Sequence, residues 1–390
     1  MRIAMIGQKG MPAKFGGVER HVHELSVRLV KVGNKVTAYS RKWYTDDKAG
    51  KINGVTIKHL PTIRTKHLDA ITHSFLATLD AIKNQYDVIH YHGVGPSLVS
   101  WIPRLFAPRI KVITTFHSID RKHEKWGFGA RLILKISEWT ACKFAHETIA
   151  VSRTIEQYCR DVYDAQTTYI PNGAPEYRPT KKADKIKKLG LKPQEYILMI
   201  SRLIPHKGAH YLIDAYNELC WENSIPANKK LVIVGDGHYT GKYVKALKAK
   251  AQKNPDIIFT GFQSGETLSQ LYSHAYLMVH PSDSEGLPIN VLEGMRYGLP
   301  VLLSDIIEHR ELISNQNFLF TCGDVKSLKI RLNELMRTRK SVMAKQIKLN
   351  QTVINQRYNW GEIARKTDGL YQNIVEKKME KIKMAVAEAE

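Results

Sequence analysis

An α/β protein built from two Rossmann-like domains is predicted by three features of the sequence. Short runs of β-branched and apolar residues recur along most of the chain, separated by stretches of helical periodicity. That is the pattern of βαβ units laid on a parallel sheet. The alternation breaks once, over residues 174–194, and then resumes. At 390 residues with 43% hydrophobic content, the chain is long for one compact domain and rich enough for two buried cores.

The first half opens with IAMIG (3–7), followed by an amphipathic segment from about Gly17 to Val32. KVTAYS (35–40) and VTIKHL (55–60) follow, then a helix through about 67–84, DVIHYH (87–92), KVITTFH (111–117) and ETIAVS (147–152). The second half runs YILMIS (196–201), a helix near 208–220, LVIVGD (231–236), a helix through 240–252, IIFTGF (257–262), AYLMVH (275–280) and PVLLSD (300–305). Between the halves, residues 174–194 are polar, carry three prolines and hold no strand pattern. Domains at 1–180 and 190–364 are therefore expected, with a closing helical pattern from Trp360 to about Lys383.

The net charge is +22, with +12 over residues 1–180 and +10 over 181–390, so the excess is spread rather than gathered in one arm. No nucleic-acid motif accompanies it, and nucleic acid is not expected as a partner; a nucleic-acid-binding module, resting on net charge alone, is the non-enzyme alternative. Attraction to an anionic membrane surface, attraction to phosphate-bearing substrates and plain basic character all remain as readings. No apolar run reaches about 18 residues, so no spanning helix is expected. The strand-like RIAMIG (2–7) stands where an export signal would begin. The four cysteines, Cys142, Cys159, Cys220 and Cys322, show no C-x-x-C spacing. This argues against a zinc site or disulfide framework and for a reducing, cytoplasmic setting.

The most specific motif joins Glu285 to Glu293 through Gly286-Leu287-Pro288, between the runs AYLMVH and PVLLSD. One carboxylate then lies in the loop leaving a strand and the other a couple of turns into the next helix. Ligands of open parallel sheets bind beyond the carboxyl ends of the strands. Two acids at that edge suit adjacent sugar hydroxyls, and a helix beginning near Leu287 would turn its free N–H groups toward a phosphate. A sugar nucleotide has both parts. Arg202 and Lys207, after the strand YILMIS, can reach one diphosphate from two directions, as a planar fork and a point charge. Gly16-Gly17 stands before a helix, where bare backbone can approach a phosphate; a plain glycine turn is the other reading.

His117 closes KVITTFH at the same kind of edge, and His90 and His92 share one face of their strand. A metal on that pair would need a third ligand that the sequence does not supply, and packing of a cleft wall is the alternative. His21 and His23 point in different directions and receive no role. The stretch Arg121 to Lys135, with Lys125, Trp126 and Phe128, mixes cations and aromatics beside an amphipathic helix. It reads either as a lipid-surface segment or as a solvated face, and Arg64 and Lys66 invite the same two readings.

Together these residues resemble glycosyltransferase family 4, the retaining enzymes of the two-domain GT-B fold. The resemblance runs from Ile3 to about Trp360 and includes Asp87-Val-Ile-His-Tyr-His-Gly93, Pro171-Asn-Gly173 and Gly298-Leu-Pro-Val301. Residues 3–24 are similar to bacterial rhamnosyltransferase-like capsule and O-antigen enzymes, whereas Pro205-His-Lys207-Gly208 follows the wider family. The resemblance implies domains facing each other across a cleft, with the C-terminal helix (about 365–390) packing back on the first domain. It implies a nucleotide diphosphate sugar as donor and a saccharide or lipid-linked acceptor. Gly16 and Gly17 would border the diphosphate, Arg202 and Lys207 would neutralise it, Glu293 would hold the ribose, Glu285 would contact the donor sugar and His117 would line the reaction centre. No D-x-D motif is present, and no metal or other cofactor is expected. A sugar-nucleotide epimerase of the same architecture is the alternative enzyme.

Overall fold

The structure, a computed structural model, describes the chain apart from residues 46–49, 66–67, 123–126, 177–178, 226–228, 238–239 and 388–390; for residues 122 and 377–387 it describes the backbone alone. The expectations for Lys66, Lys125 and Trp126 lie outside the described residues. Two compact units emerge, one of Met1–Gly173 with Asn359–Glu390 and one of Ala174–Tyr358.

The first unit carries an eight-stranded sheet of order β3-β4-β2-β1-β5-β6-β7-β8. Its strands are β1 (Arg2–Ile6), β2 (Lys35–Arg41), β3 (Lys51–Ile52), β4 (Val55–Leu60), β5 (Val88–His92), β6 (Lys111–Phe116), β7 (Glu147–Ala150) and β8 (Thr168–Tyr169). Every pair is parallel except β3 with β4. Its helices are α1 (Gly17–Lys31), α2 (Asp69–Lys83), α3 (Trp101–Phe106), α4 (Phe128–Lys143) and α5 (Arg153–Tyr163). Burial on both faces explains why the central strands read as unbroken apolar runs rather than alternating ones. Ile3, Met5, Val36, Val88 and Ile113 enter one core cluster, and Ala4, Ile6, Ile89 and Val112 another.

The second unit carries a six-stranded sheet of order β11-β10-β9-β12-β13-β14, parallel throughout. Its strands are β9 (Tyr196–Ile200), β10 (Lys230–Val234), β11 (Ile257–Gly261), β12 (Leu277–His280), β13 (Val301–Ser304) and β14 (Leu319–Phe320). Its helices are α6 (Asp184–Lys188), α7 (Ala209–Trp221), α8 (Gly241–Ala251), α9 (Gly265–His274), α10 (Ile289–Arg296), α11 (Ile307–Arg310), α12 (Val325–Arg337) and α13 (Lys340–Arg357).

The last helix, α14 (Trp360–Ala387), belongs to the first unit, and the division at Tyr358–Asn359 comes ahead of the expected residue 364. Trp360, Ile363, Ala364 and Tyr371 join Val22, Leu25 and Leu29 of α1 in one core cluster. Asn34 donates to Asp368 at 2.7 Å, and Gly173 is a glycine because a Cβ there would strike the Trp360 ring. Among the described residues, no helix is long and apolar enough to cross a membrane.

Among the parallel strands of each sheet the order switches direction between β1 and β5 and between β9 and β12. At such a switch the two flanking loops run to opposite sides and leave a crevice beyond the strand ends. The loops after β9 and β12 are thereby brought side by side. Gly208 sits there with φ +70°, and a Cβ would overlap the carbonyl oxygen of Pro281. Ser282 Oγ and the Asp283 N–H both donate to the His206 carbonyl, at 2.9 and 2.8 Å.

Candidate active site

In the second unit, Lys207 and Glu285 come from these two adjacent loops and form an ion pair, their side chains 13% and 8% exposed. Residues 205–207 form a tight turn after β9, ended by Gly208 in the left-handed region, and this aims Lys207 at the β12 loop. Glu285 Oε1 also accepts from Nε2 of His280, the last residue of β12, at 2.7 Å. His280 is fixed in turn by the Asn290 side chain, whose amide lies 3.3 Å from Nδ1 and also donates to the Ile200 carbonyl. Burial works against the Glu285 charge, but Lys207, the His280 hydrogen bond and His309 outweigh it and hold the carboxyl well below the usual range. For Lys207, burial and the nearby Arg202 charge lower the ammonium from its ordinary value while Glu285 opposes them. Arg202 is exposed on the same loop as Lys207. A carboxylate with its cation on one side and an exposed guanidinium beyond it form an electropositive lip suited to a phosphorylated ligand.

The helix after Glu285 starts later than expected. It begins at Ile289 rather than near Leu287, with Pro288 as its extended N-cap. A proline disfavours helical backbone in the residue before it, which keeps Leu287 out of the helix. Gly286, Leu287 and Pro288 are all buried. Glu293 lies on the second turn, 6% exposed, and Oε2 accepts from Tyr272 OH at 2.9 Å. Tyr272 stacks on Tyr297 with ring centroids 5.0 Å apart. Glu293 is thus oriented from α9, and it is joined to Glu285 through Asn290, whose carbonyl accepts from Tyr272 OH at 3.2 Å and whose side chain braces His280.

In the first unit, His117 is the first residue beyond β6 and is buried. His92 Nδ1 lies 3.4 Å from His117 Nε2, and the ring centres of His90 and His92 are 4.0 Å apart, their planes tilted by 37°. His90 is held by Tyr371 of α14 at 2.6 Å and by Thr115 at 2.7 Å. His21, expected to have no role, is the missing neighbour: its ring centre is 4.7 Å from that of His117 and 5.4 Å from that of His92. Its Nδ1 lies 2.8 Å from Asn172 Oδ1, an acceptor, so Nδ1 carries the proton and the buried Nε2 has no hydrogen-bond partner. Three ring nitrogens, of His21, His92 and His117, lie within 4.8 Å of one another and could hold a cation of the zinc class. His280, Glu285 and His309 form a second such set, already neutralised through Lys207. Burial pushes His21 down to about 4 and holds His90, His92 and His117 well below the ordinary histidine value, so near pH 7 these rings are neutral.

Gly16, with φ +103°, precedes α1, and Gly17 is its first residue. The Glu19 carboxylate folds under Gly16 and accepts from the Lys9 N–H at 3.0 Å. His21 follows one turn later, so α1 links the glycine pair to His117. Of the basic stretch, Arg121 is bound to Glu138 at 3.2 Å and to Tyr158 at 2.7 Å, and is not a free surface cation. Arg64 rests 4.9 Å over the Trp43 ring.

Two outcomes follow. Lys207→Met leaves a buried, uncompensated carboxylate and is expected to cost about 3–5 kcal/mol, whereas Lys207→Met with Glu285→Gln costs less than the sum of the single changes. Urea melts of the four proteins measure the coupling; additive losses would refute the pair. The histidine cluster gives a pH dependence. The unfolded chain protonates these rings near 6.5 while the folded chain does not, so stability is full above that value and falls as pH drops toward 4. The loss is about 1.4 kcal/mol per histidine for each pH unit. His21→Asn should flatten the slope between pH 6.5 and 5 by about one proton; an unchanged slope would contradict the burial of His21 as a neutral ring.

Comparison with known proteins adds the family. The model for glycosyl transferases group 1 matches residues 181–367, and that for Glycosyltransferase Family 4 matches residues 15–176. An uncharacterized glycosyltransferase of Methanocaldococcus jannaschii is 26% identical, over 81% of this chain and 83% of that protein. The UDP-Gal:alpha-D-GlcNAc-diphosphoundecaprenol alpha-1,3-galactosyltransferase of Escherichia coli is 27% identical, over 65% of this chain and 67% of that protein. Among solved structures, Anabaena HepE in complex with UDP and glucose superposes with a TM-score of 0.76 at 21% identity, covering 96% of this chain and all of that one. With two parallel-sheet α/β units of this topology, and both halves matched by glycosyltransferase families, the chain belongs to family 4 of the glycosyltransferases and has the GT-B fold.

Proposed function

We propose that the enzyme transfers a hexose-type sugar, with retention of anomeric configuration, from a nucleotide diphosphate sugar to an acceptor hydroxyl. The observation that carries this is the buried Lys207–Glu285 pair at the switch point of the second sheet, with Arg202 exposed on the same loop. A departing diphosphate gathers negative charge as the glycosidic bond breaks. Fixed cations and helix-start N–H groups stabilise that charge more in the transition state than in the bound donor. Lys207 and Arg202 take this task, with the backbone N–H groups of Gly286 and Leu287; Pro288, which has none, sets the turn into α10. Glu285 orients Lys207 and contacts the donor sugar, and Glu293, steadied by Tyr272, holds the ribose. From the first unit we assign Gly16 and Gly17 to the donor diphosphate and His117 to the transferred sugar. A neutral His117 suits a sugar hydroxyl, since an imidazole offers one donor and one acceptor.

The named ligands of Anabaena HepE, UDP and glucose, support a nucleotide diphosphate donor. The E. coli relative, named for a diphosphoundecaprenol acceptor, supports a saccharide or lipid-linked acceptor in surface polysaccharide or glycolipid synthesis, reached by peripheral contact with the inner face of the cell membrane. Four unbonded cysteines suit a reducing, cytoplasmic setting. The M. jannaschii and E. coli relatives are both transferases by name, which favours transfer over epimerisation.

A thermal-shift panel of nucleotide sugars identifies the donor, which raises the melting temperature by mass action. With donor and acceptor, product anomer and nucleotide release are then read by NMR. Retention of configuration is expected. Arg202→Ala is expected to lower kcat roughly a hundredfold, while Glu293→Ala mainly raises the KM for donor. An inverted product, or an isomerised sugar nucleotide formed from donor alone, would overturn the reading.

A further inference from the structure

Helix α4 is turned inside out for a helix facing water. An amphipathic helix buries its apolar face, yet α4 turns Ser137, Glu138 and Thr140 inward together with Leu134 and Ala141. The inner polar groups are held from within the unit: Glu138 Oε2 accepts from Arg121, Tyr158 and Tyr163, and Thr140 donates to the Ser97 carbonyl at 2.9 Å. The outer face presents Phe128, Leu132, Ile136 and Trp139, spaced as one stripe, with Phe128 88% exposed. Helix α3 lies beside it, since Ser100 at its start donates to the Thr140 carbonyl, and it adds Leu105 and Phe106 at 59% and 72% exposure.

The exposed charges carried by α3, α4 and the segment between them have one sign among the described residues. Arg104, Arg109, Arg131 and Lys135 are exposed. Among the described residues from 101 to 143 the carboxylates are Asp120, hydrogen-bonded to Ser118 and only partly exposed, and Glu138, which is buried. Large exposed apolar patches rimmed by polar groups mark interaction surfaces. Cations beside aromatic and aliphatic side chains, including a tryptophan, match the boundary of an anionic lipid leaflet. A symmetric pairing of two copies would set the four cations against their own equivalents, a like-charge contact without compensation.

We propose that the outer face of α3 and α4 docks the enzyme on an anionic lipid surface, with the apolar stripe among the acyl chains and Arg104, Arg109, Arg131 and Lys135 at the headgroups. This deepens the reading of a lipid-linked acceptor: the surface holds the enzyme where such an acceptor lies. Transfer to a water-soluble acceptor is read separately, so failure of docking and failure of the transferase reading are distinguishable.

The test is flotation of the full chain with vesicles of phosphatidylcholine alone or mixed with phosphatidylglycerol. Binding to the mixed vesicles is expected, with at least a tenfold loss in Phe128→Ser/Ile136→Ser, which leaves the charge unaltered, and in Arg131→Glu/Lys135→Glu. Circular dichroism and the melting temperature should stay at wild-type values because these side chains are exposed. Lys345→Glu/Lys348→Glu, exposed on α13, controls for net charge and should bind as wild type. Equal binding by wild type and Phe128→Ser/Ile136→Ser, no binding of wild type, or a concentration-dependent dimer dissolved by Phe128→Ser would each overturn the proposal.

Discussion

The second unit is organised around a carboxylate that cannot be buried alone. Glu285 lies in the crevice that the reversed strand order opens between β9 and β12. An isolated charge there would be neutralised by a pKa shift or would unfold the loop. Lys207 from one loop and His280 from the end of β12 remove that cost. Once this constraint is met, much else follows. Gly208 must be a glycine for the loops to touch, Asn290 must brace His280, and Lys207 is held on a short leash beside Arg202. The same arrangement that satisfies a structural need leaves two cationic groups, Lys207 and Arg202, together at the mouth of that crevice.

The first unit solves a different problem in the same place on its sheet. Four histidines, His21, His90, His92 and His117, are packed without a carboxylate partner and stay neutral through burial. Neutral imidazoles bind hydroxyls, whereas charged ones would attract phosphate. The two units thus differ in their chemistry, with cations at the switch point of one sheet and neutral hydrogen-bonding rings at that of the other. The return of α14 braces these rings, because Tyr371 fixes His90 and Trp360 packs 5.3 Å from His21.

The α/β class and most central strands were legible because strands buried on both faces write themselves as continuous apolar runs. Helices α12 and α13 were not, since covering helices expose most of their surface and their apolar positions are sparse. Glu285, Lys207 and His117 could be picked out because each stands at or just beyond a strand end. Their partners could not. That the loop after β9 meets the loops after β10 and β12 depends on strand order, which no local pattern records. His280 carries the same signal as His117, a histidine closing a strand, and that signal could have found it. His21 could not be found, because its partner Asn172 is 151 residues away in sequence.

Hydrogen exchange of the full chain, with and without a nucleoside diphosphate, tests the account most directly. If the paired loops are the diphosphate site, protection concentrates in residues 201–208 and 281–293. Protection confined to other segments, with these two loops exchanging as before, would contradict it.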